Sequence, residues 1–390
     1  MPLDKYEDNY EGFFNFQSDF TNALSERCAE TKRYELKPEE MELWGGKVVG
    51  DVLEISRLDN ESITTKQIPI PPEHDKLWRC NETQEIGMFV EFPDGTGNRM
   101  VAPLSRMSKL SLGNRAKLTF NGDFAMPISK IALAKVYEDM IRRETKKQTV
   151  QIISVYGKVQ AVMTAVYSPI GHDEFFEKVN EGLRARFGNV VSMQRGYISQ
   201  KWSRATWDIG EYQDGNTPKK IRLGVSAMDS QTGHSSAILQ PVIYSGRKME
   251  GIHFDDTWHS KHMALTDDGI NKAIDTVYLE LSDNAQKLMD TINITLKYPG
   301  DYAQNLCNEL NKLGKNTAGV LLPAKTIQSF VATVEGLGYI RSSVTVWDVI
   351  EQLWDIPFTT STSENHRDGL MKTVSRVLAL DHDALDKKLF

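Results

Sequence analysis

The chain has 390 residues, of which 40% are hydrophobic and 25% are charged, and its formal net charge is −7. This composition is typical of a soluble globular protein with one extensive core or two ordinary ones. No run approaches the ~18 consecutive apolar residues of a membrane helix, and the acidic start lacks the basic-then-apolar order of a secretory signal, so we expect no membrane partner.

The cysteines predict neither a zinc ribbon nor a disulfide framework. Cys28, Cys80 and Cys307 lie far apart and form no CxxC pair. We therefore expect a reducing, cytoplasmic setting. No motif in the chain indicates a cofactor.

Charge is distributed unevenly along the chain. Residues 1–80 carry 17 acidic against 10 basic side chains, which accounts for the whole net charge. Residues 141–222 hold 14 basic against 8 acidic side chains, a local excess of positive charge. The acidic segment could attract the basic one or act as an electrostatic gate, or it could be an ordinary solvated surface.

Residues 1–120 are predicted to form an acidic N-terminal region with short strands and a hairpin. Residues 1–40 look helical or partly ordered, with four phenylalanines on one side: Phe13, Phe14, Phe16 and Phe20. Strand-like alternation follows over 43–55 and 61–70, and 87–104 is predicted to form the hairpin.

Residues 121–245 are predicted to form a central sheet domain. A helix over 125–143 precedes two strands, a helix opened by Asp173, and four further strands. The predicted strands span 149–155, 159–166, 190–197, 201–209, 220–228 and 235–244. The order ββαββββ with short connections predicts an antiparallel sheet with a helix on one face, and therefore an α+β fold.

Residues 246–390 are predicted to form a mainly helical C-terminal region. Amphipathic spacing of apolar residues supports helices at five places in this region. The predicted helices span 265–294, 302–313, 325–335, 346–354 and 364–380.

Four motifs lie between about residues 125 and 380: VQAVMTAVYSPIGHDEFFEKV, GYISQKWSRATWDIG, GVSAMDSQTGHSSAILQPVIY and SVTVWDVIEQLWDIPFTTSTS. They resemble a phage- and plasmid-encoded family classified only as a domain of unknown function, number nine-three-two in its series. The segment GRKMEGIHFDD departs from this family, which often has Arg-x-x-Cys-x-Asn there. The resemblance implies a mobile-element origin, and hence the cytoplasm of a host cell, but it names no activity.

The strand–strand–helix–strands order also resembles the core of Rad52-type single-strand annealing proteins. This resemblance is at the level of the fold. It implies an oligomeric protein that binds single-stranded DNA during recombination.

Binding of a single strand needs a cationic groove for phosphates and exposed rings on which bases stack. The predicted nucleic-acid-binding residues are Lys146, Lys147, Arg195, Tyr197, Lys201, Trp202, Arg204, Lys219, Lys220 and Arg222. Strict alternation places Trp202 with Arg204 on one face and Tyr197 with Lys201 on the other, so that one set faces solvent. Trp202 and Trp207 could instead be core residues, with the cations on an ordinary surface.

The segment GIHFDDTWHSKHM holds three histidines and two aspartates within ten residues: His253, Asp255, Asp256, His259 and His262. Imidazoles and carboxylates in this number could bind a divalent metal, but no HExxH motif is present and the pattern favours a polar loop wedged against the sheet. The serine, histidine and aspartate residues of 229–236 are adjacent in sequence, which favours a turn over a catalytic triad. No motif predicts catalysis, so we do not expect an enzyme.

Three classes of function follow from these patterns. The first is a nucleic-acid-binding protein of a phage or plasmid, for example an oligomeric factor that anneals single-stranded DNA. The second is an effector that binds a host protein through the acidic N-terminal region, such as an inhibitor of host defence. The third is a metal-dependent enzyme that uses the histidine cluster.

Overall fold

The computed structural model describes residues 10–59, 62–72, 75, 78, 87–117, 129–144, 149–164, 171–213, 219–230, 232, 236–244, 251–255, 258–260, 266–315 and 320–388. The strands are β1 Glu11–Phe14, β2 Thr31–Leu36, β3 Glu42–Val49, β4 Val52–Asp59, β5 Ser62–Pro69, β6 Gly87–Pro93, β7 Arg99–Pro103, β8 Val150–Val155, β9 Lys158–Thr164, β10 Ser192–Ser199, β11 Ser203–Tyr212, β12 Ile221–Asp229, β13 Ala237–Tyr244, β14 Ile252–His253 and β15 Trp258–Ser260. The helices are α1 Gln17–Ala29, α2 Arg106–Arg115, α3 Lys130–Glu144, α4 His172–Phe187, α5 Asp267–Asp290, α6 Pro299–Lys315, α7 Ala324–Ile340, α8 Val346–Leu353, α9 Ile356–Thr360, α10 Glu364–Ser375 and α11 His382–Leu385.

The strands form three antiparallel sheets. The largest has the order β1-β10-β11-β12-β13-β14, with β15 also paired to β13. A second sheet has the order β2-β8-β9, and a third has the order β5-β4-β3-β6-β7. From residue 267 onward the described chain is mainly helical. The predicted α+β class, with an antiparallel sheet and a helical C-terminal region, is confirmed.

The sequence order ββαββββ does not form a single sheet. The first two strands, β8 and β9, join β2, whereas the four strands after α4 belong to the largest sheet. β8 is paired on both sides, by β2 and by β9, and the outer edge of β9 meets Leu104 through a parallel bridge to Val159. This pair of strands therefore has its own neighbours, which local sequence order does not reveal.

Two strands of the N-terminal region join sheets of the central region, whereas β3–β7 form a sheet of their own. β1 pairs with β10, and β2 pairs with β8. The expected one-sided helical run of phenylalanines is wrong, because Phe13 and Phe14 lie on β1 and only Phe20 lies within α1. The strand pairings cross the predicted boundaries near residues 120 and 245, since β13 also pairs with β14.

One face of the largest sheet is buried under helices. On β11, Ala205 and Trp207 point toward α4, where the rings of Trp207 and Phe176 lie 6.5 Å apart. Helix α4 buries apolar residues at i, i+3 and i+4 spacing, which is the pattern of a helix packed along one side. The apolar residues of α5 and of the C-terminal helices belong to the same buried cluster.

No helix among the described residues is both long enough and apolar enough to cross a membrane.

Two glycines give a matched test of this packing. A Cβ at Gly196 on β10 would lie 2.5 Å from Cδ2 of Phe20, so Gly196→Ala should lower the free energy of unfolding by about 1–3 kcal/mol. A Cβ at Gly336 within α7 would have no heavy atom within 4 Å, so Gly336→Ala should raise that free energy by about 0.5–1 kcal/mol. Urea unfolding followed by circular dichroism measures both, and changes of the same sign would contradict the packing.

Candidate nucleic-acid interface

The hairpin between β10 and β11 is built around Ser199. The Ser199 main-chain N–H donates to the Trp202 carbonyl at 3.0 Å, and the Trp202 N–H donates to the Ser199 hydroxyl at 3.2 Å. From α1, the Arg27 guanidinium donates to the carbonyls of Ser199 and Gln200 at 2.5 and 3.1 Å. These bonds hold the turn in place and leave Lys201 exposed at its tip.

Three rings form a continuous stack beside this hairpin, which we call the aromatic ladder: Phe13, Tyr197 and Trp202. The ring centroids of Phe13 and Tyr197 lie 5.1 Å apart, and those of Tyr197 and Trp202 lie 4.5 Å apart. The stack follows from strand register, because Phe13 on β1 lies directly opposite Tyr197 on β10. The two pairs are tilted, with interplanar angles of 48° and 43°. Aromatic pairs at such distances add roughly 0.5–1.5 kcal/mol to the energy of burial.

Two guanidinium groups lie against the ends of the aromatic ladder. Cζ of Arg195 is 4.7 Å from the centroid of the Phe13 ring, and Cζ of Arg204 is 4.9 Å from that of Trp202. Arginine is attracted to the face of an aromatic ring at this distance. The ladder therefore combines the aromatic and cationic side chains that the sequence placed in this region.

The predicted division of these residues between two faces is wrong. Tyr197 and Arg204 are directly opposed in the β10–β11 register, so they point to the same side of the sheet, and the Trp202 ring joins them there. Alternation holds only along one continuous strand. The turn between Ser199 and Ser203 resets it, so counting through the turn gave the wrong face.

Helix α10 covers much of this face. Asp368 accepts from Arg204 at 2.9 Å, and Glu364 accepts from Arg195 at 3.1 Å and pairs with Arg367 at 2.8 Å. The Ser363 hydroxyl caps the helix by accepting from the His366 N–H. The two inner rings and Arg204 are consequently buried, with Tyr197 only 4% exposed, Trp202 8% and Arg204 7%.

Burial affects the ionisation of this cluster. It raises the pKa of Tyr197, and the carboxylate of Glu11 raises it further, so the phenol is neutral. Burial alone would raise the pKa of Asp368, but the positive charges of Arg204 and Lys372 outweigh it and hold that pKa below its usual value. Asp368 is therefore a carboxylate, and it neutralises Arg204 on the covered face.

The outer end of the ladder is open. Phe13 is 51% exposed, and Phe16, which follows β1, is 67% exposed. A small cavity of about 90 Å³ lies between the hairpin and the start of α10, and it is lined by the inner rings Tyr197 and Trp202 together with Glu11, Lys201 and Glu364. The larger accessible surface of the ladder is Phe13, at the edge of the sheet.

The other predicted cations do not join this cluster. Lys220 pairs with Glu211 at 2.7 Å, and Nζ of Lys219 lies 4.7 Å from the Trp347 ring centroid. Arg222 pairs with Asp208 and lies over the ring of Tyr244. Lys146 and Lys147 lie outside the described residues.

The structure separates two histidines of the proposed metal cluster. His253 on β14 lies opposite Val242, whereas His259 on β15 lies opposite Ile238 and is exposed. His262 and Asp256 lie outside the described residues, and no group of three potential ligands occurs among the residues that are described.

His253 is buried beneath α10 as a neutral side chain. Burial lowers its pKa to about 3, and the nearby Arg204 contributes in the same direction. Its Nδ1 lies 3.9 Å from an oxygen of Asp368. Because the ring is neutral near pH 7, this contact is not an ion pair there.

Asp229, at the end of β12, lies beside a second buried histidine. Its carboxylate is 3.1 Å from Nε2 of His172, and neither side chain is exposed. The Ser203 hydroxyl lies 3.5 Å from Nδ1 of the same ring. This group contains the residue types of a catalytic triad, but a substrate could not reach a site without accessible surface. We interpret it as a structural contact between α4 and the sheet.

No protein-family model matches the chain, and neither a curated protein nor a solved structure matches it. The two resemblances described from the sequence therefore stay predictions.

Sequence reasoning missed three residues that shape the site. Phe13 was grouped with a helix, although it is the open ring of the ladder. Glu364 and Asp368 neutralise the arginines from a distant part of the chain. The i, i+4 spacing of Glu364 and Asp368 within a predicted helix could have indicated this role, since it places two carboxylates on one face of the helix.

His253 gives a test of this arrangement through pH. Its folded-state pKa lies below the value of about 6.5 for an unfolded histidine, so the unfolded state takes up the proton first as the pH falls. The wild-type protein should therefore lose up to about 1.4 kcal/mol of stability per pH unit from this residue, between pH 6.5 and pH 3. His253→Gln should flatten the pH dependence of unfolding, and the exposed control His259→Gln should not. Equal slopes for both variants would show that His253 titrates normally.

Proposed function

We propose that the protein binds single-stranded nucleic acid at the open end of the aromatic ladder. The observation that carries this proposal is the stack of three rings with an arginine at each end, in which the outer ring, Phe13, is half exposed. Bases stack on such rings with about 1–3 kcal/mol each, independently of sequence, because every base has a flat aromatic face.

The two inner rings support Phe13 rather than contact the ligand. Tyr197 is only 4% exposed and Trp202 8%, so neither ring offers a face on which a base could stack while α10 is in place. They instead hold Phe13 at a fixed position on the edge of the sheet, which lowers the entropy cost of stacking. The exposed Phe16 lies nearby in the chain but outside the ladder, so it lacks this support.

The phosphates would lie on the side of Arg195 and Lys201. Lys201 is exposed at the tip of the hairpin, whereas Arg195 already pairs with Glu364. A phosphate must therefore compete with Glu364 for Arg195, and Glu11 adds a further carboxylate beside the hairpin. We infer moderate affinity that falls with salt concentration, by a slope of about −1.4 in log–log form for two phosphate contacts.

An annealing or recombination role in a phage or plasmid is the finer form of this proposal. It is supported by the resemblances to the phage and plasmid family and to the annealing proteins. The ladder itself supports only the binding of single strands.

Replacing Phe13 tests the stacking surface. Phe13→Ala should weaken binding of a labelled oligothymidylate by roughly 5- to 100-fold at low salt, because it removes the accessible ring. Phe16→Ala is the matched control, since it removes a ring of similar exposure outside the ladder, and its effect should be much smaller. Fluorescence anisotropy measures both. Absence of binding by the wild-type protein at low salt, or equal losses in both variants, would refute the proposal.

Neutralising Glu364 should strengthen binding. Glu364→Gln frees Arg195 from a competing carboxylate, so affinity should rise by roughly fivefold, equivalent to about 1 kcal/mol. Glu309→Gln removes the same charge from the exposed Glu309–Lys312 pair on α6 and should change affinity little. A rise of the same size in both variants would indicate a general charge effect, and weaker binding by Glu364→Gln would contradict the position of the phosphates.

A further inference from the structure

The longest strand at the edge of a sheet, within the part of the chain that the structure describes, is β5. It spans Ser62–Pro69, and among the described strands it pairs only with β4. The pairing runs from Val52 opposite Pro69 to Asp59 opposite Ser62 without a bulge. The outer side of β5 therefore offers a regular row of main-chain donors and acceptors to another strand.

β5 lacks most of the features that normally keep edge strands apart. Such strands are usually protected by a bulge, an internal proline or an outward charge. The proline of β5 is its last residue. Its one charged residue, Lys66, is 45% exposed but already paired, with Nζ 4.6 Å from the Trp44 ring centroid and 3.1 Å from Glu91. Ile63, by contrast, is 63% exposed.

We propose that β5 is a dimer interface, at which it pairs antiparallel with β5 of a second copy of this chain. An edge strand can pair with itself around a two-fold axis, since each copy then offers the same donors and acceptors to the other. The two five-stranded sheets would join into one continuous sheet. The proposal does not depend on nucleic-acid binding.

Symmetry restricts the register of this pairing. Directly opposed residues of an antiparallel pair have their side chains on the same face of the sheet. A two-fold axis normal to the sheet must therefore lie midway between one residue and the same residue of the second copy. An axis at Thr65 aligns Ser62–Ile68 of both copies and places Thr64 opposite Lys66 of the partner subunit. An axis at Lys66 would place two ammonium groups opposite each other, which is unfavourable.

The Thr65 register also fits the side chains already present. The Thr65 hydroxyl lies 3.0 Å from the Ser56 hydroxyl on β4. With the axis at Thr65, these two hydroxyls and their two copies would line one face across the new strand pair. Opposed threonines are among the side-chain pairs that stabilise antiparallel strands.

A cysteine on the axis tests both the interface and its register. In a full-length background with Cys28→Ser and Cys80→Ser, Thr65→Cys should form a disulfide-linked dimer under mild oxidation. Opposed residues of an antiparallel pair have Cα atoms about 4.5–5.5 Å apart, which suits a disulfide. Ile63→Cys is the matched control, because its two copies would lie about 13 Å apart along the strands, and it should cross-link at least about tenfold less.

Sedimentation of the wild-type protein gives the second measurement. A single strand pairing is a small interface, so we expect a reversible dimer at micromolar concentrations. Thr65→Lys would place two like charges at the axis and should yield a monomer. The proposal is overturned if the wild-type protein sediments as a monomer throughout this range, if Thr65→Lys remains dimeric, or if the two cysteine variants cross-link equally.

Discussion

The ion pair between Arg204 of β11 and Asp368 of α10 connects the C-terminal helices to the largest sheet. Both faces of this sheet are covered, one by α4 and α5 and the other in part by α10, so a guanidinium on the second face loses most of its water. A buried charge is tolerated only when it is paired and hydrogen-bonded. The position of α10 therefore depends on its ion pairs with Arg195 and Arg204 as well as on the packing of its apolar side chains.

The same requirement explains why the aromatic ladder is closed at one end and open at the other. Trp202 and Arg204 lie under α10, where Asp368 balances the charge. Phe13 lies on the edge strand, beyond the helix, where the neighbouring Arg195 keeps partial contact with solvent. The difference in exposure between Phe13 and the two inner rings thus follows from where the covering helix begins.

The sequence predicted the local elements of the central region well, since their bounds follow from alternation and helical spacing. It did not predict which strands would pair, because β1 with β10 and β2 with β8 are contacts between distant segments. It also did not predict that the side chains of Tyr197 and Trp202 lie on the same face of the sheet, because the turn between β10 and β11 interrupts the alternation of side chains. The sequence predicted that aromatic and cationic residues would form the candidate site. It did not predict that the carboxylates that neutralise the two arginines come from α10, far along the chain.

The pairing of β1 with β10 also affects the order in which the protein can fold during synthesis. β1 leaves the ribosome well before its partner, which follows roughly 180 residues later. At typical translation rates this interval is about 10–40 s. During that time Phe13 and Phe14 lack the sheet on which they later pack, so their apolar side chains stay exposed until β10 has been made.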